Sequence, residues 1–283
     1  MNLKLRNSVA AVLLLAAAAV SVTAQKPTRA VTLRPFEPAE ELVYEAELSR
    51  GILRKLDVAE FRLKAQRSDT GNRSLETLVL KCDIASKGFF PKLFGLRFRE
   101  TLESKIDPAS FAVQTSKRID EHGKRIRSSE AVFDQTRGTV SWTEVDPNDP
   151  KRPPRVVNGE FTGSVHDILS AIYFMRTQPL LVGKSFELPI SDSGRVYKVP
   201  IRVLEKKRLK TVLGRVDAIL VEADLFGSKG MLNGTGKFFM WFTDDARRVP
   251  VSVKIKSEYG TFDIKLKKFT HSPVAQQYLS QHD

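Results

Sequence analysis

The chain has 283 residues, one cysteine and a net charge of +13 at pH 7. A single cysteine excludes an internal disulfide, so stability has to come from an apolar core, and the length suffices for one large domain. The positive charge favours anionic partners, but there is no zinc-finger spacing, RNA-reading aromatic signature or helix-turn-helix pattern, and nucleic acid is not the expected partner.

At the start, Lys4 and Arg6 precede the apolar run Val9 to Val20, and Val22-Thr23-Ala24 supplies small residues before Gln25. A membrane span wants about 18 apolar residues or more. The run is shorter, and with these flanks it predicts an export signal over 1–24 and a periplasmic protein. A flexible leader is expected over 25–35, a single β-rich domain over 36–270 and a polar tail over 271–283. Export also makes nucleic acid a poor match for the charge. Lipid head groups or acidic glycans fit that compartment better, beside the plain alternative of solvated strand faces. The excess charge lies in 50–127 and 201–283, whereas 128–200 is nearly balanced.

In "PFEPAEELVYEAELS", Leu42, Tyr44, Ala46 and Leu48 alternate with other residues and predict a strand. Further strands are expected at about 57–67, 74–85, 97–106, 111–119, 124–134 and 138–145, each bounded by turn residues. Cys82 shares a period of two with Leu78, Leu80 and Ile84 and reads as a buried small hydrophobe. "DPNDPKRPP" over 146–154 is a loop, since its prolines cannot pair inside a sheet. In "SVHDILSAIYFMRTQ", Val165, Ile168, Leu169, Ile172 and Met175 recur at helical spacing, which predicts a helix over 164–178 with Ser164 as N-cap and Pro179 as its end. Strands resume at 185–191, 195–210, 215–225, 236–243, 249–258 and 261–269, with turns at Ser193-Gly194 and near Gly214.

About thirteen strands and one helix predict a mainly β fold, because an open twisted sheet rarely exceeds about ten strands without curling or splitting. The expectation is a strongly curved antiparallel sheet or incomplete β-barrel with one central α-helix on its concave side.

Three places invite a functional reading. In "MWFTDDARRVP", Asp244 and Asp245 form either a carboxylate pair or a turn. Adjacent strand residues point to opposite faces and Asp is a favoured turn residue, so the turn is preferred. Just before it, Phe238, Met240 and Phe242 occupy one strand face and Phe239 and Trp241 the other, so both sides need cover: burying one such side chain is worth about 1.5–3 kcal/mol. On the helix, His166, Ser170 and Tyr173 lack the oxyanion hole and nucleophile elbow of a serine hydrolase. The four histidines show no metal-ligand spacing, and neither metal nor cofactor is expected. In "KGFFPKLFGLRFR", Phe89, Phe90 and Phe94 stand among lysines and arginines, as either a core plug or a peripheral membrane-touching loop.

The segments "PFEPAEELVYEAELS", "FRETLESKID", "VHDILSAIYFMRTQPLLVGKSFELPI" and "MWFTDDARRVPVSVKIKSEYGTF" resemble the bacterial exported domain of unknown function 3108 family. The pattern Asp167, Ser170, Tyr173 and Arg176, followed by Trp241, Asp244-Asp245, Arg248 and Pro250, carries the resemblance most strongly. It implies an envelope-associated β-rich protein without an assigned reaction, similar in outline to lipoprotein-carrier-type half-barrels with a helix in the mouth. Asp167, Ser170, Arg176, Asp244, Asp245 and Arg248 are then candidates for one polar network, with Arg176 meeting Asp244 or Asp245.

The leading expectation is a non-catalytic protein that binds a lipidic or amphipathic envelope component in the concavity, through Phe89, Phe90, Phe94, Tyr173, Phe239 and Trp241. The rivals are a hydrolase or lyase of an envelope glycan using His166, Asp244 and Asp245, and a scaffold that pairs edge strands with partner proteins. The oligomeric state is left open.

Overall fold

The computed structural model describes residues 39–68, 77–88, 97–108 and 110–271. The expected signal and leader, the polar tail beyond His271, and the aromatic loop with Phe89, Phe90 and Phe94 lie outside the described residues.

Two antiparallel meanders share one sheet. The first runs β1 (Ala39–Arg50), β2 (Leu53–Ser68), β3 (Thr77–Ser86), β4 (Phe98–Ile106), β5 (Val113–His122), β6 (Arg125–Asp134), β7 (Thr139–Val145) and β8 (Arg155–Glu160). After helix α1 (Ile168–Arg176), the second runs β9 (Ser185–Asp192), β10 (Arg195–Thr211), β11 (Gly214–Ala223), β12 (Gly236–Thr243), β13 (Pro250–Ser257) and β14 (Gly260–His271). β14 returns to pair with β1, so a single fourteen-stranded sheet has β8 and β9 at its two ends.

The period of two explains the burial. Leu42, Tyr44 and Ala46 of β1 stand opposite Leu63, Phe61 and Ala59 of β2 and opposite Phe269, Leu266 and Ile264 of β14, so one face collects apolar side chains strand after strand. The strands fall where alternation predicts them, with one addition. β8, which the sequence reading passes over, carries little burial along its length. An edge strand paired only with β7 needs no apolar face, and without one it leaves no pattern to read.

The sheet curls until its ends meet without a ladder between them. A Cβ on Gly159 of β8 would lie 2.3 Å from the carbonyl oxygen of Gly194, and one on Gly194 would lie 2.6 Å from that of Val157. Glycine therefore permits the approach of β8 to the β9–β10 hairpin. That hairpin turns on Ser193 and Gly194, both with positive φ (49° and 77°), the geometry that matches strand twist in a two-residue turn. The result is mainly β and barrel-like, with a sheet that is not closed.

The helix packs against the neighbouring strands β3 and β4 and against β9, which lies at the far end of the strand order, and only the concave side of a curled sheet offers all three together. Its start differs from the expectation. The N-cap is Asp167, not Ser164; Ser164 is exposed, and His166 is extended, pairing in parallel with Ile190. His166 N–H donates to Pro189 O (3.0 Å) and Ser191 N–H to His166 O (2.7 Å). These bonds satisfy part of the outer edge of β9, which shortens the exposed edge that a strand-pairing scaffold would need. The helix divides the core: Leu169 and Tyr173 join one apolar cluster with β1 to β7, and Ala171 and Met175 join another with β9 to β13.

Candidate functional site

Polar groups at both ends of α1 fix it in the concavity. At the N-terminus, Asp167 accepts from Ser170 N–H (2.7 Å) while Ser170 Oγ accepts from Asp167 N–H (2.9 Å), a reciprocal cap. The second carboxylate oxygen of Asp167 accepts from the buried Ser104 hydroxyl of β4. At the C-terminus, the fully buried Arg176 makes a bidentate pair with Glu40 of β1 and donates through Nε and Nη2 to the Arg247 carbonyl (3.2 and 3.1 Å). Its guanidinium also lies over the Tyr173 ring, 5.3 Å from the centroid. Burial by itself would lower the arginine pKa, but the facing Glu40 carboxylate outweighs it and leaves the pKa raised.

The Asp-Asp stretch is a turn. Asp245 Oδ1 accepts from Thr243 Oγ1 (2.6 Å), Arg247 N–H and Arg248 N–H (both 3.1 Å), and Asp245 Oδ2 holds the Arg247 guanidinium (2.6 Å). Burial pushes the Asp245 carboxyl up, and the Thr243 hydroxyl and Arg247 more than compensate, so its pKa sits below the usual value. Asp244 pairs with Lys206 (2.6 Å) and Arg248 (3.4 Å). The expected link between the helix and this turn exists in a corrected form: Arg176 reaches the Arg247 carbonyl, which Asp245 orients, and its acid is Glu40 rather than Asp244 or Asp245. Nothing near Arg176 in sequence points to Glu40, 136 residues away.

On one side of α1 lies an apolar cavity of about 250 Å³, walled by Ala171, Ile172 and Met175 of the helix and by Leu188, Ile190, Ile201, Val221, Phe238, Met240 and Phe242 of the sheet. Ile168 and Leu232, each about two-fifths exposed, stand at its mouth. Register brings this lining together, since Val221 faces Met240 and Phe238 faces Ile255, another lining residue, across neighbouring strands. On the other side of Ile168 lies a second cavity of about 230 Å³, polar, lined by Ser116, Arg118, Asp120, Arg125, Arg127, Ser129, Glu144, Asp192 and Ser193, with Trp142 and Leu169 among its apolar members.

The ligand contacts expected from sequence fall differently. Phe239 and Trp241 are on the strand face opposite the apolar cavity. Trp241 is in register with Leu220 and Ser252, and Phe239 with Glu222 and Lys254; both are half-buried on that outer side. Their neighbours Phe238, Met240 and Phe242 line the cavity instead. Tyr173 is fully buried beneath Arg176 and lines neither cavity. His166 is 1% exposed and stacks on Phe174 at 4.2 Å. His166, Asp244 and Asp245, the catalytic candidates of the rival reading, line neither cavity. Sequence reasoning missed the polar cavity because Arg118, Asp120 and Glu144 read as solvated strand positions; only curvature turns them inward. Among the described residues, no three His, Cys, Asp or Glu side chains gather as a metal site, and no helix is long and apolar enough to cross a membrane.

No curated protein matches the chain in sequence. Among solved structures, a β-barrel-like protein of domain of unknown function 1849 from Brucella abortus is similar over 83% of this chain and 98% of its own, with a TM-score of 0.53 at 11% identity. A hypothetical protein from Chlamydia trachomatis aligns over 83% of this chain and 87% of its own at 12% identity, with a TM-score of 0.30. A protein of the domain of unknown function 1089 family from Pseudomonas aeruginosa covers 78% of this chain and 94% of its own at 9% identity, with a TM-score of 0.27. The first of these agrees with the curled-sheet architecture. The family model of DUF3108, proteins of unknown function, matches residues 43–267, and the chain belongs to that family.

Proposed function

We propose that this chain is a non-catalytic periplasmic protein that holds a lipidic or otherwise amphipathic envelope component in the concave face of its sheet. The observation that carries this reading is the apolar cavity between α1 and strands β9 to β13, which reaches the surface past Ile168 and Leu232. A dry apolar cavity of about 150 Å³ already admits benzene, and this one is larger, at about 250 Å³. Burying a six-carbon segment there is worth about 5 kcal/mol at roughly 0.8 kcal/mol per methylene, before the cost of ordering the ligand. The export signal read from the first 24 residues supplies the compartment, and the basic surface supports contact with envelope components.

The test is lipid extraction and native mass spectrometry of the exported protein, with titration of the neutral fluorophore N-phenyl-1-naphthylamine. The wild type should carry an amphiphile and enhance the fluorescence, and Ile172→Trp, which thickens the cavity wall, should weaken both. A wild type that carries no amphiphile and does not bind the fluorophore would overturn the proposal.

A further inference from the structure

We infer that the two cavities flanking Ile168 form one bipartite site for an amphiphile whose head is uncharged and rich in hydroxyls, as in a glycolipid. The inference rests on the lipid-binding reading above and adds the chemistry of the head. Ile168 lines both cavities, and β9 runs from one to the other: Leu188 and Ile190 wall the apolar space, and Asp192, next on the same strand face, walls the polar one. Two residues of strand advance about 6.6 Å, so a single small amphiphile reaches from one environment to the other.

The charges of the polar cavity decide against an anionic head. Three guanidinium groups (Arg118, Arg125, Arg127) face four carboxylates (Asp120, Glu144, Asp167, Asp192). The guanidinium groups are already engaged, Arg118 by Glu100 (2.7 Å), Arg125 by Asp120 (3.5 Å) and Arg127 by Asp146. A phosphate or sulfate would compete with those carboxylates for the guanidinium groups and would sit among four like charges. Sugar hydroxyls donate and accept at once, so they can bond the remaining carboxylate lone pairs, guanidinium N–H groups and the hydroxyls of Ser116, Ser129 and Ser193 with every ion pair intact. The three arginines come from 50–127, one of the basic stretches, but Glu144, Asp167 and Asp192 from 128–200 and Asp120 stand around them, so the positive character of the chain is offset there.

The experiment measures binding to the exported protein of octyl glucoside, octyl sulfate and octylphosphocholine below their micellar concentrations, by competition with N-phenyl-1-naphthylamine. Octyl glucoside should bind about fivefold or more tighter than the other two, a margin of the size that one or two net hydrogen bonds confer. Glu144→Leu should remove that margin and leave fluorophore binding unchanged. Equal affinities for the three heads, tighter binding of the sulfate or phosphocholine, or a glucoside margin that survives Glu144→Leu would overturn the head assignment while fluorophore binding persists. Loss of all binding in the wild type would instead strike the lipid-binding reading beneath it.

Discussion

Glu40→Ala tests how the helix is held. Both side chains of the Glu40–Arg176 pair have zero solvent exposure, and the substitution removes the facing carboxylate from a guanidinium that stays buried beside the Arg247 carbonyl and the Tyr173 ring. Breaking a buried pair by removing one member costs about 3–5 kcal/mol, a large part of the roughly 5–15 kcal/mol of a typical domain. An exposed pair such as Lys254–Asp263, with side chains 46% and 25% exposed, should contribute only about 0–1 kcal/mol, so Asp263→Ala is the control. Urea unfolding should show Glu40→Ala with a midpoint lowered accordingly and a slope near that of wild type. The double variant Glu40→Leu/Arg176→Met, which removes both charges, should be more stable than Glu40→Ala, although the Arg247 carbonyl loses its donor at about 1–3 kcal/mol. A Glu40→Ala loss below about 1 kcal/mol, or a double variant no better than the single, would refute the argument that an uncompensated buried charge sets the cost.

Burial lowers the His166 pKa from 6.5 to about 4, against a smaller opposing pull from Asp167. Between these values the unfolded chain binds a proton that the native one does not, so stability falls on acidification from about pH 6.5 to 4, by about 3 kcal/mol from this group. His166→Phe, which keeps a ring against Phe174, should flatten that part of the pH–stability curve; an unchanged slope would contradict it. The Cys82 thiol is pushed up to about 12, first by burial and then by the charges of Glu100 and Asp83, so a thiol reagent at pH 8 should label it only as fast as the protein opens. Rapid native labelling would show that the site is not sealed. Gly159→Ala places a methyl 2.3 Å from the Gly194 carbonyl and should cost about 1–3 kcal/mol by overpacking. No loss in a thermal melt would mean that the two ends of the sheet do not press on each other.

Much of the architecture is written in periods. Alternation at Leu42, Tyr44 and Ala46, the prolines of 146–154 and the Ser193-Gly194 turn each act over a few neighbouring residues, so they can be read without knowing the partner strand. The helix boundary was less legible. Both Ser164 and Asp167 are good caps, and the choice fell to Asp167 because Ser104 of β4 supplies a second bond to it and β9 holds His166 extended. The candidate site was the least legible part. Phe238 and Phe239 are chemically alike, and only the direction of curvature decides which of them faces the helix.

By itself, then, the amino-acid order determined a mainly β chain with one amphipathic helix, its main turns and the alternation of its core, because those depend on short-range geometry and on which side chains avoid water. The tertiary structure decided which sheet face became concave, that Arg176 found Glu40 across 136 residues, and that apolar and polar cavities came to share Ile168. These outcomes arise from curling the fourteen described strands around α1. That closure brings distant positions together by twist and register, and no local pattern encodes the pairing.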